Sequence, residues 1–190
     1  MTDRPPTLFE WAGGAAALER LTRTFYEEVR RDPVLEPVFR HMDKRHPQHV
    51  AVWLGEVFGG PPLYTEEHGG YAQMVSKHLG KALTEQQRRR WVELMLDAAD
   101  RAALPDDPEF RSAFVAYIEW GTRLAVRNSQ PGVTPPAQPP PVPRWGWGGR
   151  RPTTRARDAR RSPRCCAAPP ASGCLSGRGR SCRTAARPRP

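Results

Sequence analysis

Apolar residues along the first two thirds of the chain recur at intervals of three and four, and no convincing run alternates with a period of two. That spacing predicts helices. After Gly13-Gly14, Leu18, Leu21, Phe25 and Val29 form one stripe. Asp32-Pro33 supplies an N-cap and a first-turn proline for a short amphipathic segment carrying Val34, Leu35, Val38 and Phe39. Pro47 opens a further helix with Val50, Trp53, Leu54, Val57 and Phe58 on one side, and Gly59-Gly60-Pro61-Pro62 ends it. A loop containing Gly69-Gly70 leads to Tyr71, Met74, Val75, His78 and Leu79, whose helical spacing puts His78 on an apolar face. Thr84 with Gln87 reads as a capping box ahead of Trp91, Leu94, Met95 and Ala98, in a helix that stops at Leu104-Pro105. Asp107-Pro108 starts the last helix, with Phe110, Phe114, Tyr117, Ile118 and Leu124 inward and its end near Asn128. The expected fold is all-α, without internal repeats.

Composition changes this picture only towards the C-terminus. Residues 1–129 hold 17 Lys/Arg and 19 Asp/Glu, a net charge of −2, whereas residues 130–190 hold 13 Arg, no Lys and one acid, Asp158, a net charge of +12. The net +10 of the chain therefore belongs to the tail. The tail also carries 13 of the 22 prolines, and Val133, Val142 and Leu175 are nearly all of its large aliphatic residues. Such a segment cannot bury enough apolar surface to offset the entropy of ordering it. The expectation is one folded domain over 1–129 and a disordered Pro/Arg-rich tail over 130–190. Within the tail, Trp145-Gly146-Trp147-Gly148-Gly149-Arg150-Arg151 has the charge and aromatic rings for sequence-tolerant nucleic-acid binding. However, Arg, Pro, Ala and Gly make up 41 of the last 61 residues, a bias that GC-rich codons read out of frame also produce, so a nucleic-acid partner is not expected. All four cysteines, Cys165, Cys166, Cys174 and Cys182, lie in the tail, which leaves the folded part without a thiol, as is ordinary for a cytoplasmic protein. Neither a signal peptide nor a membrane span is expected, since no basic start precedes an apolar run and no stretch approaches 18 apolar residues.

Candidate chemistry centres on His78. A histidine among aliphatic and aromatic neighbours is either a core side chain hydrogen-bonded to a carbonyl or water, or an imidazole presented to iron from an apolar wall. Phe25, Tyr26, Phe39, Trp53, Phe58 and Trp91 face the same interior, as ordinary core or as the wall of a cofactor site. The combination is more specific than any one residue. Thr24-Phe25-Tyr26, Val38-Phe39, the segment HPQHVAVWLGEVFGGP from His46 to Pro61, Tyr64, Lys77-His78, and Trp91, which lies 13 residues after His78, follow in the order and at nearly the spacing of the group II truncated haemoglobins. Gly13-Gly14, Gly59-Gly60 and Gly69-Gly70 stand where that family uses glycine pairs. The chain resembles the family over about residues 7–129.

The resemblance implies a two-over-two sandwich of helices around haem b, iron protoporphyrin IX, with His78 as the proximal ligand. It sets Tyr26, His46 and Trp91 on the distal side, packs Phe39 on the porphyrin, and places Tyr64 and Lys77 within reach of a propionate. Two departures stand out. The family tolerates many residues at the place of His46, so this histidine is a distal donor, a gate or a sixth ligand, and Pro47 beside it is able to hold the imidazole aside. Phe39 replaces a tyrosine found in some relatives and removes one distal hydroxyl. His41, His49 and His68 lie in or beside polar stretches and read as surface residues. The implied function is O₂ binding, with NO, CO or peroxide as further ligands, and donors at Tyr26 and Trp91 imply slow O₂ release. The alternative is an enzyme that oxidises NO or reduces peroxide with electrons from a separate reductase, since no flavin or nicotinamide module is read in the chain. A third reading, a haem-free helical interaction module, uses only the basic tail.

Overall fold

A computed structural model of the chain describes residues 6–138, and its regular elements are helices: α1 (Leu8–Ala12), α2 (Gly14–Val29), α3 (Glu36–Phe39), α4 (His46–Val57), α5 (Leu63–His68), α6 (Gly70–Ser76), α7 (Glu85–Arg101) and α8 (Pro108–Asn128). The all-α expectation holds for the described residues. The expected disordered tail falls, from residue 139 onward, outside them. No helix among the described residues is long and apolar enough to cross a membrane.

The stripe read along α2 is the centre of the core: Leu18, Leu21, Phe25 and Val29 are fully buried. α2 packs across α4 on one side and α7 on the other, α7 packs on α8, and α1 bridges α2 and α8. This is the layered pairing expected of a truncated globin. Phe58, at the end of α4, closes the stack edge-on to Phe114 at 5.9 Å and Tyr117 at 5.2 Å. Each such large apolar side chain contributes roughly 1.5–3 kcal/mol through burial.

Local signals set the helix ends. Thr84 and Gln87 form the capping box foreseen for α7, each accepting from the other's backbone N–H at 3.0–3.1 Å. Asp107 caps α8 by accepting from the N–H groups of Glu109 and Phe110. Asp32 accepts from the N–H groups of Val34 and Leu35 and also takes a 2.6 Å hydrogen bond from Arg90 Nε on α7. Burial alone would raise its pKa, but the guanidinium and the two N–H groups outweigh that and hold the carboxyl below its ordinary value. The corner carrying Phe39 is thereby tied to α7 one residue before Trp91.

Three elements depart from the pattern. The stretch expected as loop before Gly69-Gly70 contains α5, because a tertiary anchor makes it: both the N–H and the hydroxyl of Thr65 donate to the carboxylate of Glu56 on α4. Gly69 and Gly70, at φ +76° and +62°, then turn the chain straight from α5 into α6, a conformation glycine adopts without strain. Second, α6 ends at Ser76 and residues 77–80 form a turn, so Leu79 leaves the apolar face and is 44% exposed. Third, Leu124 is half-buried rather than part of the core, near the end of α8. That end fixes the loop after His78: Ser129 Oγ accepts from Leu83 N, Ser129 O from Ala82 N, and Gln130 Nε2 donates to Leu83 O, at 2.9–3.0 Å.

Candidate functional site

His78 sits in the turn that follows α6, where its own N–H closes on Val75 O and its ring Nδ1 lies 2.9 Å from Met74 O. A carbonyl oxygen can only accept, so Nδ1 carries the proton and donates it. Burial holds the ring's pKa below its ordinary value and keeps it neutral. Nε2 is then an unprotonated lone pair, and it meets no hydrogen-bond donor among the described residues. A neutral imidazole with Nδ1–H given to a backbone carbonyl is how metal-ligating histidines are oriented.

A separate cluster is built by α2, α3, α4 and α7. Tyr26 is 2% exposed, and its hydroxyl is 2.9 Å from Nε2 of His46, the first residue of α4. Its ring stands edge-on to Phe25 at 4.7 Å and to Phe39 at 5.7 Å, while Phe25 stands edge-on to Trp91 at 4.8 Å. Tyr26, Phe39, His46 and Trp91 are thus brought together as expected. Burial pushes the Tyr26 hydroxyl far above the ordinary phenol range, so it stays protonated. Burial, then the nearby His49 and His78, pushes His46 down to about 4, so it is neutral at pH 7. One proton is shared across the Tyr26–His46 contact. In the Nδ1–H tautomer, Tyr26 donates to Nε2; in the Nε2–H tautomer, His46 donates to the Tyr26 oxygen and leaves the tyrosine O–H free to serve another acceptor. The Trp91 N–H is bonded to no described residue.

A second wall is polar. Tyr64 and Lys77 line one cavity of about 320 Å³ together with His49, Glu67, His68 and Gln73. Tyr64 is buried, edge-on to Trp53 at 5.1 Å, and burial raises its hydroxyl pKa. His49 and His68 are half-buried, not open surface residues, and their rings lie 4.7 Å apart; His41 is exposed as expected. Sequence signals for this pair existed: His49 stands one turn after His46 on α4, and His68 stands four residues after Tyr64 on α5, with the rings of the latter two at 5.2 Å.

Several large apolar side chains, including Phe39, Val50, Trp53, Val57 and Trp91, pack on the core with one side and stay partly uncovered.

The chain is similar to known proteins over its helical part. The bacterial-like globin family matches residues 7–119. The group 2 truncated haemoglobin YjbI of Bacillus subtilis (strain 168) is 32% identical over 117 residues, covering 62% of this chain and 86% of that protein. Among solved structures, the group II truncated haemoglobin of Bacillus anthracis superposes with a TM-score of 0.59 at 29% identity, over 65% of this chain and 93% of that one. The truncated oxygen-avid haemoglobin of Bacillus subtilis gives a TM-score of 0.57 at 31% identity, over 64% of this chain and 99% of that one. With its family match, its helical layers and its neighbours in agreement, this chain belongs to the bacterial-like globins, as a group II truncated haemoglobin with a haem-binding role.

Proposed function

We propose that the chain holds haem b through His78 Nε2 and binds O₂ reversibly, with Tyr26, His46 and Trp91 as the residues that would meet the ligand. The observation that carries the proposal is the 2.9 Å contact of His78 Nδ1 with Met74 O, which fixes the tautomer and leaves Nε2 as an unclaimed lone pair. The other residues fit the same group. Uncovered apolar faces of Phe39, Val50 and Trp53 suit a porphyrin, and the polar cavity shared by Tyr64 and Lys77 suits its carboxylates.

When bound, haem supplies an iron with one exchangeable coordination position for O₂, NO, CO or peroxide. His78 orients the group and donates its lone pair. Tyr26 and Trp91 present hydrogen-bond donors to a ligand that gains negative charge, in a site whose low dielectric strengthens each bond. His46 decides how much of the Tyr26 proton is available. The oxygen-avid haemoglobin of Bacillus subtilis among the relatives supports slow O₂ release as the behaviour to expect.

The Tyr26–His46 hydrogen bond also favours a second reading, in which this pair would give a proton to peroxide as its O–O bond breaks, or would orient the reactant in NO oxidation, while a separate reductase supplies electrons. O₂ equilibrium and autoxidation measurements on the ferrous protein, paired with NO and peroxide consumption in the presence of a reductant, separate the two. A long-lived oxygenated spectrum with little turnover supports O₂ binding. Rapid conversion to the ferric form, with reductant-dependent consumption of NO or peroxide, supports the enzyme.

A further inference from the structure

His78 is held from two directions. On the α6 side its N–H closes on Val75 O and its ring on Met74 O. On the other side its carbonyl accepts from Lys81 N–H at 3.2 Å, and the two residues that follow Lys81 are pinned to the end of α8. Ala82 N donates to Ser129 O at 2.9 Å, Leu83 N donates to Ser129 Oγ at 3.0 Å, and Gln130 Nε2 donates to Leu83 O at 3.0 Å. This clamp is rigid with its helix: Ser129 is fully buried, and its hydroxyl and the Gln130 amide both donate to Val126 O at 2.8 Å. Packing does little for the same stretch, since Leu79, Gly80, Lys81 and Ala82 are all exposed. Among the described residues, the hydrogen bonds to Ser129 and Gln130 are those that join residues 79–83 to another element. They also hold Ala82 at φ +48°, in the left-handed region that alanine rarely enters. Such strain persists where the surroundings over-determine the backbone, and it gathers at sites where position matters.

We propose that Ser129 and Gln130 are positioning residues for His78: through Ala82 and Lys81 they fix the backbone of the turn that carries the histidine, and so the direction in which its Nε2 lone pair points. The proposal deepens the haem reading above and rests on it. The bond to Met74 O anchors one atom of the ring, and the tilt of the ring about that anchor is then set by where the His78 backbone stands. The clamp supplies that second constraint from the far end of α8, 46 residues beyond Leu83. A ligand bond made by a lone pair in the ring plane is sensitive to that tilt, so the last residues of the helical domain act on the iron without touching it.

The test is the iron–histidine stretch of the ferrous, ligand-free full chain, read by resonance Raman, together with hydrogen exchange at the amides of His78, Ala82 and Leu83. Ser129→Ala removes the acceptor for Leu83 N, and Gln130→Leu removes the donor to Leu83 O; both leave α6 and the bond of the His78 ring to Met74 O in place. The Leu83 amide of the double variant is expected to exchange about three- to tenfold faster than in wild type. Its iron–histidine stretch is expected to shift and broaden beyond the wild-type line width. Gln130→Leu alone, at a half-buried position, is expected to show the same change in smaller measure. Ala82→Gly added to the double variant removes the strain that the clamp offsets, so the stretch is expected to return towards its wild-type position, a rescue that general damage to the fold does not produce. A stretch unchanged in the double variant while the Leu83 amide exchanges faster overturns the proposal and leaves the haem reading intact, as does a shift that Ala82→Gly fails to reverse. A wild-type chain that shows no iron–histidine stretch overturns both.

Discussion

Trp91→Phe isolates one hydrogen bond in the distal cluster. The indole lies edge-on to Phe25 at 4.8 Å, is half-buried, and spends its N–H on no described residue, whereas the Tyr26 O–H is shared with His46 at 2.9 Å. Phenylalanine keeps an aromatic body against Phe25 and removes the N–H, at a packing cost of roughly 1 kcal/mol in stability, for about one ring's worth of partly buried carbon. A hydrogen bond to a charged acceptor is worth about 1.5–3 kcal/mol, and each 1.4 kcal/mol is about tenfold in rate or equilibrium. O₂ dissociation is therefore expected to accelerate by about ten- to a hundredfold. CO carries less charge on its outer atom, and its dissociation is expected to change only a few-fold. Stopped-flow ligand replacement reads both. If O₂ and CO change by the same factor, Trp91 acts by filling space; if O₂ dissociation is unchanged, the donor role belongs to Tyr26 or His46.

The other predictions draw on different parts of the structure. Tyr26→Phe keeps the ring contacts at 4.7 and 5.7 Å and deletes the hydroxyl; O₂ release is expected to speed up by about tenfold, and less than additively with His46→Leu, because the two share one hydrogen bond. His46 is held at about 4 in the fold against an ordinary 6.5, so the unfolded chain binds more protons between those values, and stability falls as pH drops from about 6.5 towards 4. His46→Gln is expected to flatten that slope in urea unfolding curves, and an unchanged slope would show that other groups carry it. A chain ending at Gln130 is expected to melt as the full chain does, while one ending at Asn128 loses three hydrogen bonds to the loop at 82–83 and about 2–4 kcal/mol, visible as a lower melting temperature.

The helices that bury a single face were legible from spacing alone, since Leu18, Leu21, Phe25 and Val29, or Leu94, Met95 and Ala98, repeat at the helical period and all end up buried. The caps at Thr84 and Asp107 were equally readable, because they depend on residues within three positions, whereas Asp32, expected to cap the helix carrying Phe39, instead holds the turn before it, and α3 starts at Glu36 behind Leu35. What escaped was tertiary in origin. α5 exists because Glu56, nine residues earlier, captures Thr65, and no local pattern encodes that contact. Leu79 fitted the stripe but not the fold, since α6 stops at Ser76 and the turn holding His78 carries the next residue outward. His49 and His68 were hidden by polar neighbours in sequence; only the approach of α4 to α5 places their rings together. Tyr26, Phe39, His46 and Trp91 were readable as a group through the family's spacing, but the hydrogen bond that makes Tyr26 and His46 one unit spans 20 residues and is set by the packing of α2 on α4.

The central claim, that His78 Nε2 holds the iron, is tested most directly by the absorption and resonance Raman spectra of ferrous His78→Gly, with and without added imidazole. The account predicts a Soret band and an iron–histidine stretch in the wild type, their loss in the variant, and their return when imidazole fills the space left by the side chain. A variant that keeps the wild-type spectrum and stretch without imidazole would contradict it, because another residue would then hold the iron.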